Sequence, residues 1–469
     1  MTLNENKKII YSKTEKLQLI FLSLCVFILP FETSILNLIL PIIQKSFLIN
    51  IQELGYISLS YLLTTSILLV PCSHISYIFG KKKIFIFGIF CILFSDILAL
   101  LSLSFYFFLI CRILAGIGSA CIMATSIAIF NFLFQNEKKG HSLGINTASV
   151  YSGIALGFII GAFFTSTFYW KYMFLLTGPI FLITGISLSK LLPNDNIIIN
   201  YSYINFKSSI LYSFSLLCVL YSISSLTNKY SIYIFIIGII LFLSFITHQK
   251  YNRIKIFNFK LFFNKIFLNS NIIVLLNYSA TYAISFFLSL YLQSIGNFSA
   301  YLTGLILLAQ PVVQSLTSPI VGVYLSKKNS CVFTTFGLFV ITIGLYLLST
   351  IELKTSVYLI IFYQFILGIG YSLFTTPNTY TIITSIDQND VEFASGALAT
   401  MRQIGMVLSM GISISFISFA PYIFKTLHFE SIDILLISMK STFIFCSLLC
   451  FIGILLSYKN INIRNKKNI

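Results

Sequence analysis

Four ionisable side chains stand well inside long apolar runs: Glu32, Asp96, Arg112 and Arg402. A charge at the centre of a bilayer costs on the order of 2.5–3.5 kcal/mol on insertion scales, so each of them needs a reason to be there. One reason is proton chemistry. A carboxyl group in a low-dielectric cavity prefers its proton, a neighbouring guanidinium favours the ionised form, and an acid and a base held together in apolar surroundings can therefore switch. Glu32, halfway along LQLIFLSLCVFILPFETSILNLILPII (17–43), is the candidate proton or cation handle. Arg112 would set its affinity, and Asp96 is a third candidate for the same coupling. The other reason is structural, with the same groups serving as ion pairs that tie helices together; Asp96 in particular can face a neighbour or snorkel. Polar side chains elsewhere in the apolar runs, Asn37, Gln403, Gln310 and Gln314, join Arg402 as candidates for lining a substrate cavity; Asn277, Gln364 and Asn378 are weaker ones.

The elements that must position these groups are membrane helices. The chain has 469 residues, 57% hydrophobic and 9% charged, and a bilayer core needs about 20 apolar residues per helix. Apolar runs fall at 17–43, 54–79, 84–104, 106–134, 143–167, 172–189, 208–228, 230–247, 270–293, 301–325, 331–350, 356–382, 394–421 and 438–458, which makes fourteen spans. Charge tests that map independently. With the N-terminus in the cytoplasm, 22 of the 30 basic residues fall in inside segments and 6 outside, so both termini are expected in the cytoplasm. The net charge of +17 is thereby a matter of topology, with no face for nucleic acid. Lysine outnumbers arginine 26 to 4, a bias that makes a retained arginine more telling than a lysine.

The longest inside links, 190–207 and 248–269, flank spans seven and eight; the second is basic and amphipathic and is expected along the inner leaflet. This divides the chain into an N-tail (1–16), a six-helix half (17–193), an inserted helix pair with its linkers (194–269), a second six-helix half (270–458) and a C-tail (459–469). The fold class is all-α and polytopic. Glycines Gly153, Gly157 and Gly161, spaced by four, lay one smooth stripe along a helix, as any close helix pair requires. Prolines at 30, 311 and 377 are expected to kink their spans. The nine cysteines form no C-x-x-C pair and read as small core residues. Trp170 reads as an interface anchor and the four histidines as solvated. No phosphate-cradling loop, zinc spacing or nucleophile elbow appears, so no cofactor is expected and energy should come from an ion gradient.

Five stretches, in order, resemble the fourteen-span drug/proton antiporter branch of the major facilitator superfamily. FETSILNLILP (31–41) is similar to its span-one stretch, with Glu32 at the acidic position and Asn37 and Pro41 retained. RILAGIGSA (112–120) resembles the span-four arginine motif and GIALGFIIGA (153–162) the antiporter motif of span five. WKYMFLLTGP (170–179) and ASGALATMRQIG (394–405) resemble the signatures of spans six and thirteen, the latter with Arg402 and Gln403. The resemblance implies two six-helix halves plus two extra helices, a monomer in the cell membrane, and export of small amphipathic or drug-like compounds in exchange for protons by alternating access. Two departures stand out. The family's loop between spans two and three appears as SHISYIFGKKK (73–83): Gly80 and Lys81, Lys82 and Lys83 remain, but Tyr77 replaces the gating aspartate. Lys81 to Lys83 also read simply as the inside charge of a short loop. In span five the family's Gly-Pro is Gly157-Phe158, so the bend expected there is missing. These departures keep open a facilitator or proton symporter for a small metabolite. A membrane enzyme such as a lipid-linked sugar transferase would want a sizeable acidic external loop, and the chain offers none.

Overall fold

In the computed structural model, residues 11–467 are described apart from 135–136, 168, 194–205, 226–228, 252–258, 325–328, 388–390 and 424–430. The helices are α1 (Lys13–Phe47), α2 (Ile51–Phe79), α3 (Lys81–Leu100), α4 (Phe105–Leu133), α5 (Glu137–Thr167), α6 (Met173–Leu191), α7 (Phe206–Ser224), α8 (Ser231–Tyr251), α9 (Lys265–Thr281), α10 (Ile284–Leu290), α11 (Ala300–Leu307), α12 (Ala309–Tyr324), α13 (Ser330–Ser349), α14 (Val357–Thr384), α15 (Val391–Ile423) and α16 (Ser431–Lys467). Because α9 runs on into α10, and α11 into α12, the sixteen helices make fourteen rods, one for each apolar run. Thirteen of the rods are long and apolar enough to cross a membrane, and the apolar part of α5, Ala148–Phe164, is the shorter fourteenth.

Local chemistry sets the ends. Ser12 opens α1 and Asn50 opens α2 with reciprocal capping boxes: Glu15 N–H donates to Ser12 Oγ (3.2 Å), and Glu53 N–H to Asn50 Oδ1 (2.7 Å). Gly80, at φ 100°, is the single residue between α2 and α3, a left-handed position that glycine adopts without strain. The split between α11 and α12 follows from Pro311, which has no N–H to offer the Leu307 carbonyl four residues back. The split between α9 and α10 has no proline; there Ser409 Oγ of α15 accepts the Ala283 N–H at 3.0 Å. Beyond α10, Tyr291–Ile295 forms a π turn.

Helices α1–α6 pack as one group, chiefly α1 on α5, α3 on α4 and α6, and α2 on α4. A second group joins α13 to α14 and α16, α12 to α14, and α9 to α15 and α16. The groups meet where α2 lies on α15, α5 on α11 and α12, and α1 on α10; α7 and α8 pair with each other, and α7 touches both α2 and α15. The outer surface is apolar. Helix α8 buries only Ser231, Gly238, Phe245 and Gln249 and exposes Ile232, Tyr233, Ile236, Ile240 and Leu243, the pattern of a helix whose solvent is lipid.

Two expectations change here. Trp170 is no interface anchor: it is 2% exposed, with its ring edge-on to Phe47 (5.8 Å) and Phe108 (5.5 Å). His248 is not merely solvated, since its Nδ1 lies 2.8 Å from Ser208 Oγ. In line with Phe158 standing where the family has proline, α5 is unbroken across that position. The middle of the amphipathic link 248–269 falls outside the described residues.

Candidate functional site

Helices α1 and α4 bring the acid of the first span and the base of the fourth to one point. Arg112 Nη1 donates to Glu32 Oε1 at 2.5 Å, and the two side chains are 2% and 5% exposed. The guanidinium also lies over the Tyr61 ring of α2, 4.8 Å from its centroid, and Tyr61 in turn donates its hydroxyl to Ser119 Oγ (2.8 Å). Small residues allow that approach. A Cβ on Gly157 would stand 2.6 Å from the Phe31 carbonyl, one residue before Glu32; Gly153 faces the Phe27 carbonyl in the same way, and Gly161 faces the Ile35 side chain at 3.0 Å. The glycine stripe thus presses α5 onto the stretch of α1 that holds the acid.

Asp96 is placed beside this pair without joining it. Its Oδ2 accepts from Thr177 Oγ1 of α6 at 2.8 Å, its Oδ1 has no partner, and it is 1% exposed. The neighbouring Ser95 Oγ donates to the carbonyl of Cys111, next to Arg112, at 2.6 Å. Among the described residues, Glu32–Arg112 is the one ion pair.

The seam between the groups is polar. Asn37 Nδ2 donates to Ser285 Oγ of α10 (3.2 Å), and Ser58 Oγ to Asn37 Oδ1 (3.5 Å). One residue on, the Leu38 carbonyl accepts from both Ser289 Oγ (3.2 Å) and Gln293 Nε2 (2.7 Å), the latter from the π turn. These bonds tie α1 to α10 and to the π turn across the seam. Nearer the middle, Arg402 lies over the Tyr278 ring (5.2 Å), and Gln403 Nε2 reaches across to Met123 Sδ of α4 (3.2 Å). The Tyr151 hydroxyl of α5 is turned toward Gln314 of α12 and Thr375 of α14, with Arg402 and Tyr278 close by. Gln310 is half-buried on α12, and its carbonyl packs against Gly368.

The residues expected in a gating loop are partly helical. Gly80 is the turn itself, and Lys82 Nζ donates to the Leu192 carbonyl (2.7 Å) at the end of α6, where Gln18 Nε2 satisfies the Leu191 carbonyl (2.8 Å). Lys82 therefore caps a helix; Lys83 is exposed, and Lys81 lies in the first turn of α3. The side chain of Tyr77 lies outside the described residues. Sequence reasoning missed Tyr61, Tyr151, Tyr278, Thr177, Ser289 and Gln293. The tyrosines are hidden among 27 of their kind, and lone hydroxyls in spans are ordinary; the amide of Gln293, inside an apolar run, was the available signal.

Comparison with known proteins agrees with this geometry. The family model described as Major Facilitator Superfamily matches residues 22–410 and 275–468. The riboflavin transporter RibZ of Clostridioides difficile (strain 630) is 25% identical over 446 residues, 95% of this chain and 97% of that one. The multidrug resistance protein Stp of Mycobacterium tuberculosis (strain CDC 1551 / Oshkosh) is 21% identical over 411 residues, 86% of this chain and 75% of that one. Among solved structures, a POT family transporter in complex with thioalcohol conjugated peptide superposes with a TM-score of 0.69 at 15% identity, covering 96% of each chain. With a family match across its length and the all-helical fold of solved transporters, the chain belongs to the Major Facilitator Superfamily and is a multi-pass membrane transporter of small molecules, not an enzyme.

Proposed function

We propose that the protein is a proton-coupled antiporter that exports small amphipathic compounds from the cytoplasm by alternating access. The observation that carries the reading is the buried pair of Glu32 and Arg112 beside the seam. Ionised, Glu32 holds the guanidinium; protonated, it releases it, and the local packing of α1, α2 and α4 no longer has the same lowest-energy arrangement. A group whose charge state sets which arrangement is preferred can couple proton movement to opening at one face or the other. Asp96 is the candidate second proton site, and Arg402, Gln403, Gln314, Gln310 and Asn37 line the path. The multidrug resistance relatives favour export of drug-like cargo.

In this reading residues 17–193 and 270–458 are the two halves that rock about the seam, 194–269 is an insert, and the monomer sits in the cell membrane with both termini in the cytoplasm. A second reading, a facilitator or symporter for a metabolite, is favoured by the riboflavin transporter named among the relatives. Transport into inverted vesicles with an imposed pH gradient separates the two. Antiport predicts cargo uptake that dissipates the gradient and is lost in Glu32→Gln. Uptake indifferent to both the gradient and the substitution refutes antiport and leaves facilitation.

A further inference from the structure

The seam holds a second arginine, Arg402 of α15. Arg402 forms no ion pair among the described residues, and its Nε is buried without a partner. It lies on the face of Tyr278, and Gly405, one turn further along α15, lets α9 approach closely enough that an added Cβ would stand 2.8 Å from Tyr278 Cβ. Further polar atoms lie close by. Gln403 Oε1, next along α15, is buried and unsatisfied on a residue 5% exposed, and Thr375 Oγ1, on a residue 9% exposed, makes no hydrogen bond beyond having the Tyr151 hydroxyl turned toward it. Tyr151, from the other six-helix group, points its hydroxyl into the same place. Buried polar atoms normally find partners, so a cluster left open at the meeting of α5, α9, α12, α14 and α15 marks a place where something else supplies them.

The chemistry of that something follows from the cluster. A guanidinium offers a planar fork of donors suited to a carboxylate or to adjacent carbonyls, and it repels a cation. The tyrosine rings offer flat apolar faces on which an aromatic ring can lie. In a chain that uses lysine 26 times and arginine 4 times, an arginine here also argues for the fork rather than for charge alone. We propose that this cluster binds the transported compound, and that the compound is a planar aromatic molecule bearing carbonyl or carboxylate acceptors, its acceptor edge held by Arg402 and its ring laid against Tyr278 and Tyr151. The inference rests on the transporter reading for the word "transported", but the site itself does not depend on coupling. It separates this protein from carriers of lipophilic cations: among the described residues Glu32 is already taken by Arg112 and Asp96 is buried against Thr177, which leaves Arg402 as the charge that cargo meets.

The test uses the purified full-length chain in detergent micelles and two fluorescent planar probes, riboflavin as the acceptor-bearing ring and ethidium as the cation, with binding read by fluorescence anisotropy. The wild type is expected to bind riboflavin more tightly than ethidium. Loss of a charge-assisted hydrogen bond in Arg402→Gln should weaken riboflavin about ten- to a hundredfold, while ethidium binding is unchanged or improves. Arg402→Lys should recover part of the loss, and Tyr278→Leu should weaken riboflavin without the gain for ethidium. Size-exclusion profiles identify any variant that fails to fold, in which case Tyr278→Leu and Thr375→Val carry the comparison. The proposal is overturned if the wild type prefers ethidium or binds no riboflavin, if Arg402→Gln leaves riboflavin affinity intact, or if it weakens both probes equally. Reconstituted transport under a pH gradient is scored separately. Arg402-dependent binding without gradient-driven movement sinks the antiport reading and leaves the site standing, whereas gradient-driven ethidium transport does the reverse.

Discussion

Removing one member of the Glu32–Arg112 pair should cost more than removing both. In Glu32→Gln the guanidinium stays where it is, 2% exposed, with its paired anion gone and only Asp96, which is bonded to Thr177 and not to it, nearby. Breaking a buried pair from one side typically costs about 3–5 kcal/mol, because the partner's charge is left stranded in a medium that cannot solvate it. Two features lower that figure here. The Tyr61 ring under the guanidinium supplies about 1 kcal/mol of cation–π attraction, and the glutamine amide can still accept one hydrogen bond. A net loss of about 2–3 kcal/mol is the expected result. The double variant Glu32→Gln/Arg112→Gln removes both charges and replaces them with neutral, mutually bonding amides, so its loss should not exceed that of either single change. The coupling energy of the cycle then comes to about 2 kcal/mol or more. The measurement is reversible unfolding in mixed micelles, raising the fraction of denaturing detergent and following circular dichroism, with all four proteins at one lipid and salt composition. Additive single losses, or singles within about 0.5 kcal/mol of the wild type, would refute the claim that the two charges are buried against each other.

Other consequences are as direct. Gly157→Leu should abolish stable assembly and Gly157→Ala should lower detergent stability, because even a Cβ there meets the Phe31 carbonyl at 2.6 Å; thermal aggregation monitored by size exclusion reads both. Gln293→Leu strips the Leu38 carbonyl of its better donor, which destabilises the packing of the π turn on α1 by about 1–3 kcal/mol; hydrogen exchange in 284–295 should rise several-fold while exchange in α13 stays unchanged. Trp170, the sole tryptophan, is 2% exposed, so its emission should be blue-shifted and resist quenching by acrylamide, and a red, quenchable spectrum contradicts the packing.

What could be read from the residues, and what could not, divides along the range of the forces involved. Fourteen rods were legible because a bilayer filters for apolar length, and length is a property of one segment at a time. Even the break before Pro311 follows from an absent donor within its own helix. The pairing of Glu32 with Arg112 was legible for a related reason: so few charges are admitted to the apolar runs that an acid and a base among them have few possible partners. Arg402, by contrast, looked like one more polar lining residue. Its environment is made by Tyr278, Thr375 and Tyr151, which come from three other helices and are of types the chain uses freely.

Trp170 shows the same limit from the other side. Its place at the end of a span fits the rule for interfacial aromatics, yet three non-local contacts decide its position. Phe47 and Phe108 enclose the ring, and Lys171 beside it turns its ammonium inward to the Ser102 carbonyl. A segment-by-segment rule places an element at a depth in the membrane. Which of its faces meets lipid and which meets a neighbour depends on the rotation of every adjacent helix, and that rotation is set by close approaches such as Gly157 on Phe31 and Gly405 on Tyr278. The glycines are therefore where sequence carries tertiary information in this chain. The stripe at 153, 157 and 161 fixes how α5 turns toward α1, and so which side of α5 is left to present Tyr151 to Arg402 across the seam.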